Sequence, residues 1–168
     1  MKPIVRSRDE RPDADRHPRG RPLDPLDMRV LARLLVEGRI SFRQMAQEFG
    51  TSTSTISSRV SRLEESRVIT GYNVAVDFES LGYDLTAVTE VTVSRGKLPS
   101  TEKEIANLPG VCAVYDVTGD YDAMVVAKFR SRKELSSFAK GLLAMSFVER
   151  ANTHVVLTTV KEDFRLPL

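Results

Sequence analysis

Between residues 23 and 66, apolar residues recur at three- and four-residue steps, a spacing that predicts amphipathic helices. The first predicted helix begins at Pro25 and ends before Gly38. The second spans Phe42–Phe49 and the third spans about Ser54–Ser66. Three short helices with a four-residue turn between the last two predict a tri-helical helix-turn-helix unit.

Each of these helices is preceded by residues suited to an N-cap, because a short oxygen-bearing side chain can accept from the free amides of the first turn. Asp24 stands before the first helix and Ser41 before the second. The run Thr51-Ser52-Thr53 stands before the third, and Gly50 closes the second. The caps and the apolar spacing therefore predict the same helix boundaries.

Past Val68 the apolar period changes from helical to two, which predicts strands. Ile69–Phe78 is predicted to form a connecting strand. The rest is predicted to form, in order, a strand, a helix, two strands, a helix and a strand: Leu85–Val93, Ser100–Leu108, Val111–Thr118, Ala123–Phe129, Ser131–Met145 and Ala151–Lys161. The order βαββαβ is that of a ferredoxin-like sandwich, with two helices on one face of an antiparallel sheet. The predicted fold class is α+β: an N-terminal tri-helical (winged) helix-turn-helix domain followed by this C-terminal sandwich.

Both faces of the predicted sheet carry apolar residues, although two helices can cover only one of them. In the first strand Ala87 and Val91 alternate with Val88, and in the last strand Val155 alternates with Val156. An exposed apolar sheet face is a liability unless something covers it. We therefore predict a two-fold dimer that stacks one C-terminal sheet on another.

Composition narrows the class of protein. The 168 residues fit one or two small domains, with 41% apolar and 29% charged residues as in ordinary globular proteins. A single cysteine, Cys112, excludes an intrachain disulfide framework and a cysteine-rich zinc module. Apolar runs are far shorter than the roughly 18 residues that a membrane-spanning helix needs. These features predict a cytoplasmic protein with no membrane partner.

Charge is unevenly distributed, although 25 basic and 23 acidic residues give a net charge of only +2. Residues 1–22 carry seven basic and four acidic groups, while 71–168 carry eleven and thirteen. An excess of basic residues at the N-terminal end favours contact with nucleic acid. The predicted domains are a disordered basic arm (1–22), a helix-turn-helix domain (23–69), a linker strand or hinge (70–83) and a C-terminal oligomerisation domain (84–168). The arm is either an inert tail or a segment that lies along phosphates.

The third predicted helix carries chemistry suited to double-stranded DNA. Opposite its apolar line it presents hydroxyls and arginines, and the segment 51–63 contains no acidic residue. Hydroxyl groups can bond bases and phosphates, and a guanidinium can fork onto guanine or a phosphate. We therefore predict that DNA is contacted by Arg39, Ser41, Arg43, Thr51, Ser52, Thr53, Ser54, Thr55, Ser58, Arg59 and Arg62. The alternative is a solvated helix face, since serine and charge are common on surfaces.

Several collinear segments, which together span residues 23–161, resemble a known family. They are Leu23–Asp27, Val30-Leu31, Gly38–Ser41, Thr55–Glu65, Val68–Tyr72, Leu81–Tyr83 and Gly119–Asp122. They resemble the Lrp/AsnC (leucine-responsive/asparagine-regulator, feast/famine) transcription regulators. The resemblance implies dimers built through the sensing domains, often assembled into octamers, that bind pseudo-palindromic DNA. Arg67 departs from the family pattern, which usually places glycine there, so we expect the third helix to end differently from that of common members.

The resemblance also implies a small effector, commonly an amino acid, held near the C-terminal domain. Carried onto this sequence, the candidate effector-binding residues are Gly119, Asp120, Tyr121 and Asp122. A carboxylate can take an α-ammonium group, and turn amides can take an α-carboxylate. The alternative is an ordinary connection between two strands, for which Gly-Asp is common.

Signatures of catalysis are absent from the sequence. It contains no glycine-rich phosphate loop, no G-x-S-x-G elbow and no spaced His or Cys ligands. We therefore expect no cofactor, no metal, no catalytic residue and no enzymatic activity. One alternative is a haem-precursor (sirohaem) decarboxylase of the same two-domain plan, which could use His154 and Arg150. Another is a DNA-compacting architectural protein, which would discriminate little between sequences.

Overall fold

The computed structural model describes residues 22–166 and residue 168. The described residues form two compact units, one of residues 22–75 together with the end of the chain from residue 162, the other of residues 76–161. The predicted basic arm, apart from residue 22, lies outside the described residues.

The first unit contains three helices, as the sequence predicts. They are α1 (Pro25–Val36), α2 (Phe42–Phe49) and α3 (Thr53–Glu65). The bounds of α2 are confirmed, and α3 begins and ends one residue earlier than predicted. The apolar residues that share one side of each helix form a buried core: Val30, Ile40, Met45, Ala46, Ile56, Val60 and Leu63.

The helix starts are those that the cap residues predict. Asp24 Oδ1 accepts from the amides of Leu26 and Asp27 before α1, both at 3.0 Å. Ser41 Oγ accepts from the amide of Gln44 at 3.1 Å and fixes the start of α2. Because each bond satisfies an amide that lacks an intrahelical partner, these side chains define where the helices begin.

Arg67 ends α3 in a left-handed conformation, with φ of 58°. Its amide donates to Glu64 O at 2.9 Å, and the amide of Ile69 donates to Leu63 O at 3.0 Å. This bonding completes the last turn of α3, so the helix ends without the glycine that the resemblance led us to expect. A Cβ atom in this conformation is strained against the backbone.

Replacing Arg67 with glycine is expected to raise the free energy of unfolding by about 0.5–1 kcal/mol, since the relief of Cβ strain exceeds the gain in unfolded-state entropy. Urea denaturation measures the change. Arg67→Ala is the matched control, because it removes the guanidinium and keeps the Cβ atom. Equal stabilisation by alanine would place the cause in the charged group and contradict the backbone explanation.

The connecting strand predicted over Ile69–Phe78 is wrong: residues 70–77 form no strand, and a short 3-10 helix follows at Glu79–Leu81. Residues 70–81 are exposed, including the alternating apolar side chains of Tyr72, Val74 and Val76. A strand needs a hydrogen-bonded neighbour, and among the described residues none lies beside this segment. Apolar residues do alternate along this segment, but alternation without a neighbouring strand does not produce a strand.

The second unit is the predicted βαββαβ sandwich. Its elements are β1 (Leu85–Val93), α4 (Leu98–Ala106), β2 (Val111–Asp116), β3 (Ala123–Phe129), α5 (Arg132–Leu143) and β4 (Val148–Val155). The strands are antiparallel in the order β2-β3-β1-β4. β4 ends six residues before the predicted Lys161, because β1 begins at Leu85 and offers no partner beyond that point.

The two faces of the sheet differ. One packs against α4 and α5 through buried residues that include Val91, Val125, Ile105 and Leu142. The opposite face, which we call the outer sheet face, carries half-buried apolar residues and a central group of polar ones: Val88, Met124, Val126, Glu90, Lys128, Arg150, Asn152 and His154. No helix among the described residues is long and apolar enough to span a bilayer.

Candidate DNA-binding surface and effector turn

The start of α3 carries an organised group of hydroxyls. Ser52 caps the helix by accepting from the amide of Thr55 at 3.0 Å. Its Oγ also lies 2.8 Å from Ser54 Oγ and 2.7 Å from Thr55 Oγ1. The three predicted DNA-contacting hydroxyls therefore lie together at the helix N-terminus, where free amides and the helix dipole favour an anionic group.

The surface of α3 opposite the core carries three serines and, in the last turn of the helix, Glu65. Ser54, Ser58 and Ser61 are exposed, and they lie four and three residues apart on the side away from the buried Ile56 and Val60. The sequence-based set contained the first two and missed Ser61. Extending the helical period by one more turn would have included it.

Arg59 and Arg62 point toward the start of α1. Arg59 Nη1 bonds Asp24 Oδ2 and lies 3.1 Å from Asp27 Oδ1, and Arg62 Nη2 bonds both oxygens of Asp27. The Asp27 side chain is only 1% exposed. Sequence reasoning placed both arginines on the DNA-facing side and did not foresee these ion pairs, because the acids precede them by more than thirty residues. Their predicted contact with DNA stays a prediction.

The ion pairs change the titration of the groups that form them. The hydrogen bond from Arg59, followed by that from the Asp27 amide, lowers the pKa of Asp24 from its usual value of 3.8 to about 2. The bonds to Asp24 and Asp27 raise the pKa of Arg59 above its usual value. Asp24 is thus charged at every pH near neutrality.

Acid is expected to destabilise the first unit through Asp24. A carboxyl whose pKa falls on folding stabilises the folded chain above the unfolded pKa, and this stabilisation is lost as the pH falls from about 4 to about 2. Thermal unfolding followed across this range measures the slope. Asp24→Asn keeps a capping oxygen and should show a shallower slope, whereas an unchanged slope would assign the acid sensitivity to other groups.

The remaining predicted DNA contacts flank these groups. Arg39 and Arg43 are exposed on either side of the α2 N-cap, Ser41. The side chain of Ser41 is occupied by its capping bond and by Gln44 Oε1 at 2.8 Å. Contact of these residues with DNA stays a prediction; phosphate contacts of this kind would position the protein without specifying sequence.

The predicted effector turn, Gly119–Asp122, joins β2 to β3. Gly119 has φ of 124°, and Asp120 is exposed. Asp122 is hydrogen-bonded to the C-terminal end of β1: its Oδ2 accepts from the Val93 amide at 2.8 Å, and its own amide donates to Val91 O at 3.0 Å. Asp122 therefore supports the turn, while Asp120 keeps its carboxylate toward solvent.

Tyr121 connects this turn to the polar group of the outer sheet face. Its hydroxyl accepts from Arg150 Nη2 at 3.3 Å, and Glu90 is bonded by Asn152 at 3.2 Å and by His154 at 3.3 Å. Hydrogen bonds from His154, then from Asn152 and Tyr121, hold the pKa of Glu90 below its usual value. Sequence reasoning found only Tyr121 of this group as an effector residue, since the others come from β1 and β4.

In the described part of the chain, no group of three or more His, Cys, Asp or Glu side chains is arranged to hold a metal ion. The pair considered for a tetrapyrrole, Arg150 and His154, lies on the outer sheet face beside Glu90.

Comparison with known proteins follows the same division of the chain. A family model described as winged helix-turn-helix DNA-binding matches residues 23–70. A second, described as Lrp/AsnC ligand binding domain, matches residues 86–166. The protein is a transcriptional regulator with a helix-turn-helix DNA-binding domain and a ligand-binding domain.

Relatives support the same class. An uncharacterised HTH-type transcriptional regulator of Pyrococcus abyssi is 45% identical over 144 residues, which cover 86% of this chain and 98% of the relative. The HTH-type transcriptional regulator FL11 of Pyrococcus horikoshii is 34% identical, with 88% and 97% covered. The chain belongs to the Lrp/AsnC family. The relatives are named as regulators of transcription and not as enzymes.

Solved structures agree with this assignment. E. coli AsnC is 26% identical, with a TM-score of 0.79, 84% of this chain covered and 96% of that chain. A transcriptional regulator of Neisseria meningitidis, solved as a complex with L-Met, is 25% identical with a TM-score of 0.80, and 86% and 96% are covered. The predicted α+β fold class and family resemblance are thereby confirmed.

Proposed function

We propose that this protein regulates transcription by binding specific sequences in double-stranded DNA, and that a small effector, an amino acid, tunes its assembly or its DNA binding. The observation that carries the DNA-binding part is the exposed hydroxyl surface of α3, which is free of acidic residues between Thr51 and Leu63. Hydroxyl side chains on a helix that enters the major groove can reach base edges closely.

The direct test is selection of bound sequences from random DNA with the full chain. We expect enrichment of a pseudo-palindromic site, because a two-fold dimer presents two copies of α3 to the two halves of such a site. Binding with no enriched sequence would contradict specific regulation and favour an architectural protein. Repeating the selection with a panel of amino acids tests the effector.

Support for an amino-acid effector comes from the turn and from the neighbours. Asp120 offers an exposed carboxylate to an α-ammonium group, and Tyr121 leads to the Arg150 guanidinium, a partner for an α-carboxylate. The Neisseria regulator and a feast or famine regulatory protein of M. tuberculosis are each solved with L-methionine. Titration calorimetry with L-methionine should give heat that Asp120→Asn diminishes; no heat with any common amino acid would contradict the effector.

A second copy of the chain is the proposed cover of the outer sheet face. Val88, Met124 and Val126 leave apolar area there that no described element covers.

Sedimentation at micromolar concentration is expected to show a dimer or a larger even assembly such as an octamer, because burying this apolar area favours association. Val126→Glu, which places an acid in the centre of the face, should shift the distribution toward monomer. Ser137→Glu, on the exposed side of α5, is the control, because it adds the same single negative charge. A monomeric wild-type chain would contradict the proposed interface.

A further inference from the structure

The side chains of α3 divide into two groups that the sequence pattern does not separate. Ser54, Ser58 and Ser61 are exposed along the line opposite the core. Arg59 and Arg62 are only partly exposed, at 23% and 38%, and lie against the start of α1. At 100° per residue, the two groups occupy neighbouring but different strips of the helix surface.

Arg59 is constrained by the carboxylates that it contacts. Its Nη1 bonds Asp24 and also lies 3.1 Å from Asp27, whose side chain is almost completely buried. A buried carboxylate that loses its cationic partners is strongly disfavoured. Turning Arg59 toward a base would remove one cationic partner of Asp27 and both contacts that Arg59 makes with the start of α1.

The charges in this cluster also balance locally. Two acids, Asp24 and Asp27, face two arginines, Arg59 and Arg62. The cluster therefore adds little net attraction for phosphates, whereas Arg39 and Arg43, at the start of α2, are exposed. The row of small hydroxyls allows the backbone of α3 to approach the groove closely.

We propose, on the basis of the DNA-binding function proposed above, that Ser54, Ser58 and Ser61 contact base edges. In the same proposal Arg59 is a positioning residue: its bonds to Asp24 and Asp27 hold α3 against the first helix at the angle that presents those serines. Ser61 becomes a specificity-determining residue, and the arginines of α3 act within the domain.

The serine part is tested on the DNA sequence that the wild-type chain selects. Ser58→Ala and Ser61→Ala should each weaken binding to that sequence about three- to tenfold, leave binding to random DNA unchanged and relax one base position in a repeated selection. Ser57→Ala is the matched control on the same helix, beside the row, and should leave both affinities within about twofold. Unchanged affinity and preference in both serine variants would overturn the inference.

The role of Arg59 is tested with a variant for which positioning and DNA contact predict opposite changes in DNA affinity. Asp24→Asn keeps a capping oxygen and removes the charge that holds Arg59. If Arg59 positions α3, specific binding should fall several-fold, although a negative charge near DNA has been removed. If Arg59 reads DNA, the same change would release it and strengthen binding, which would overturn the inference.

Arg59→Ala supplies a second readout. If Arg59 positions α3, this substitution should lower the melting temperature of the free protein and leave the salt dependence of binding to random DNA unchanged. A phosphate contact would instead reduce the slope of log affinity against log salt by about one, and a base contact would relax one operator position with no change in melting temperature. Either of the last two results would overturn the inference. A wild-type chain that selects no sequence would instead refute the proposed function itself.

Discussion

Replacing Gly110 with alanine is expected to lower the free energy of unfolding of the second unit by about 3 kcal/mol. A Cβ atom on Gly110 would lie 2.5 Å from the backbone oxygen of Lys128, and φ is +83°. The segments cannot separate cheaply, because the amide of Lys128 donates to Gly110 O at 2.8 Å. Backbone overpacking and a left-handed alanine each cost on the order of 1–2 kcal/mol.

Chemical denaturation measures the loss, and Gly96→Ala is the matched control. Gly96 lies in the same unit and has a similar positive φ, of +77°, but a Cβ atom there meets nothing within 4 Å. It should therefore cost only the conformational part, about 1 kcal/mol. Equal losses in the two variants would show that the close approach to Lys128 has no effect of its own.

The second large effect is expected at Asp27, whose replacement by asparagine should destabilise the first unit by about 2–3 kcal/mol. The change keeps the shape and removes the buried charge that pairs with Arg59 and Arg62. Breaking a buried ion pair from one side leaves the partner charges poorly compensated, and the partial exposure of the arginines moderates the cost.

Thermal unfolding of Asp27→Asn is best compared with that of Asp27→Asn combined with Arg62→Gln. If the ion pair carries the effect, removing both charges should cost clearly less than the sum of the two single changes. Additive losses would show that the ion pair between Asp27 and Arg62 does not carry the effect, since asparagine keeps an oxygen that can accept from the Asp24 amide, as Asp27 does at 3.1 Å.

Local signals predicted most of the elements. The bounds of α2, β1 and β3 follow from the apolar period and from cap or turn residues, because those features act over a few residues of chain. The exposure of Ser54 and Ser58 on α3 follows for the same reason: a helical period determines which side chains face away from the core.

The features that the sequence did not predict correctly have a common physical cause. The linker alternation at residues 70–77 implied a strand, but strand formation depends on a neighbour that no local pattern supplies. The ion pairs of Arg59 and the outer-face group around Glu90 join residues more than thirty positions apart. A sequence pattern describes which face a residue lies on and carries little information about which distant charge it meets.

By itself, then, the sequence determined the two-domain α+β plan, the helix caps and the surface of α3 that is opposite its core. These depend on periodicity and on the short-range competition of side chains for free amides. Only the tertiary structure decided that Arg67 can end α3 without glycine, that Asp122 supports the turn while Tyr121 faces a polar group, and that Asp27 holds the arginines of α3. Those outcomes depend on packing between segments distant in sequence, because a buried charge or polar group that loses its partner costs folding free energy.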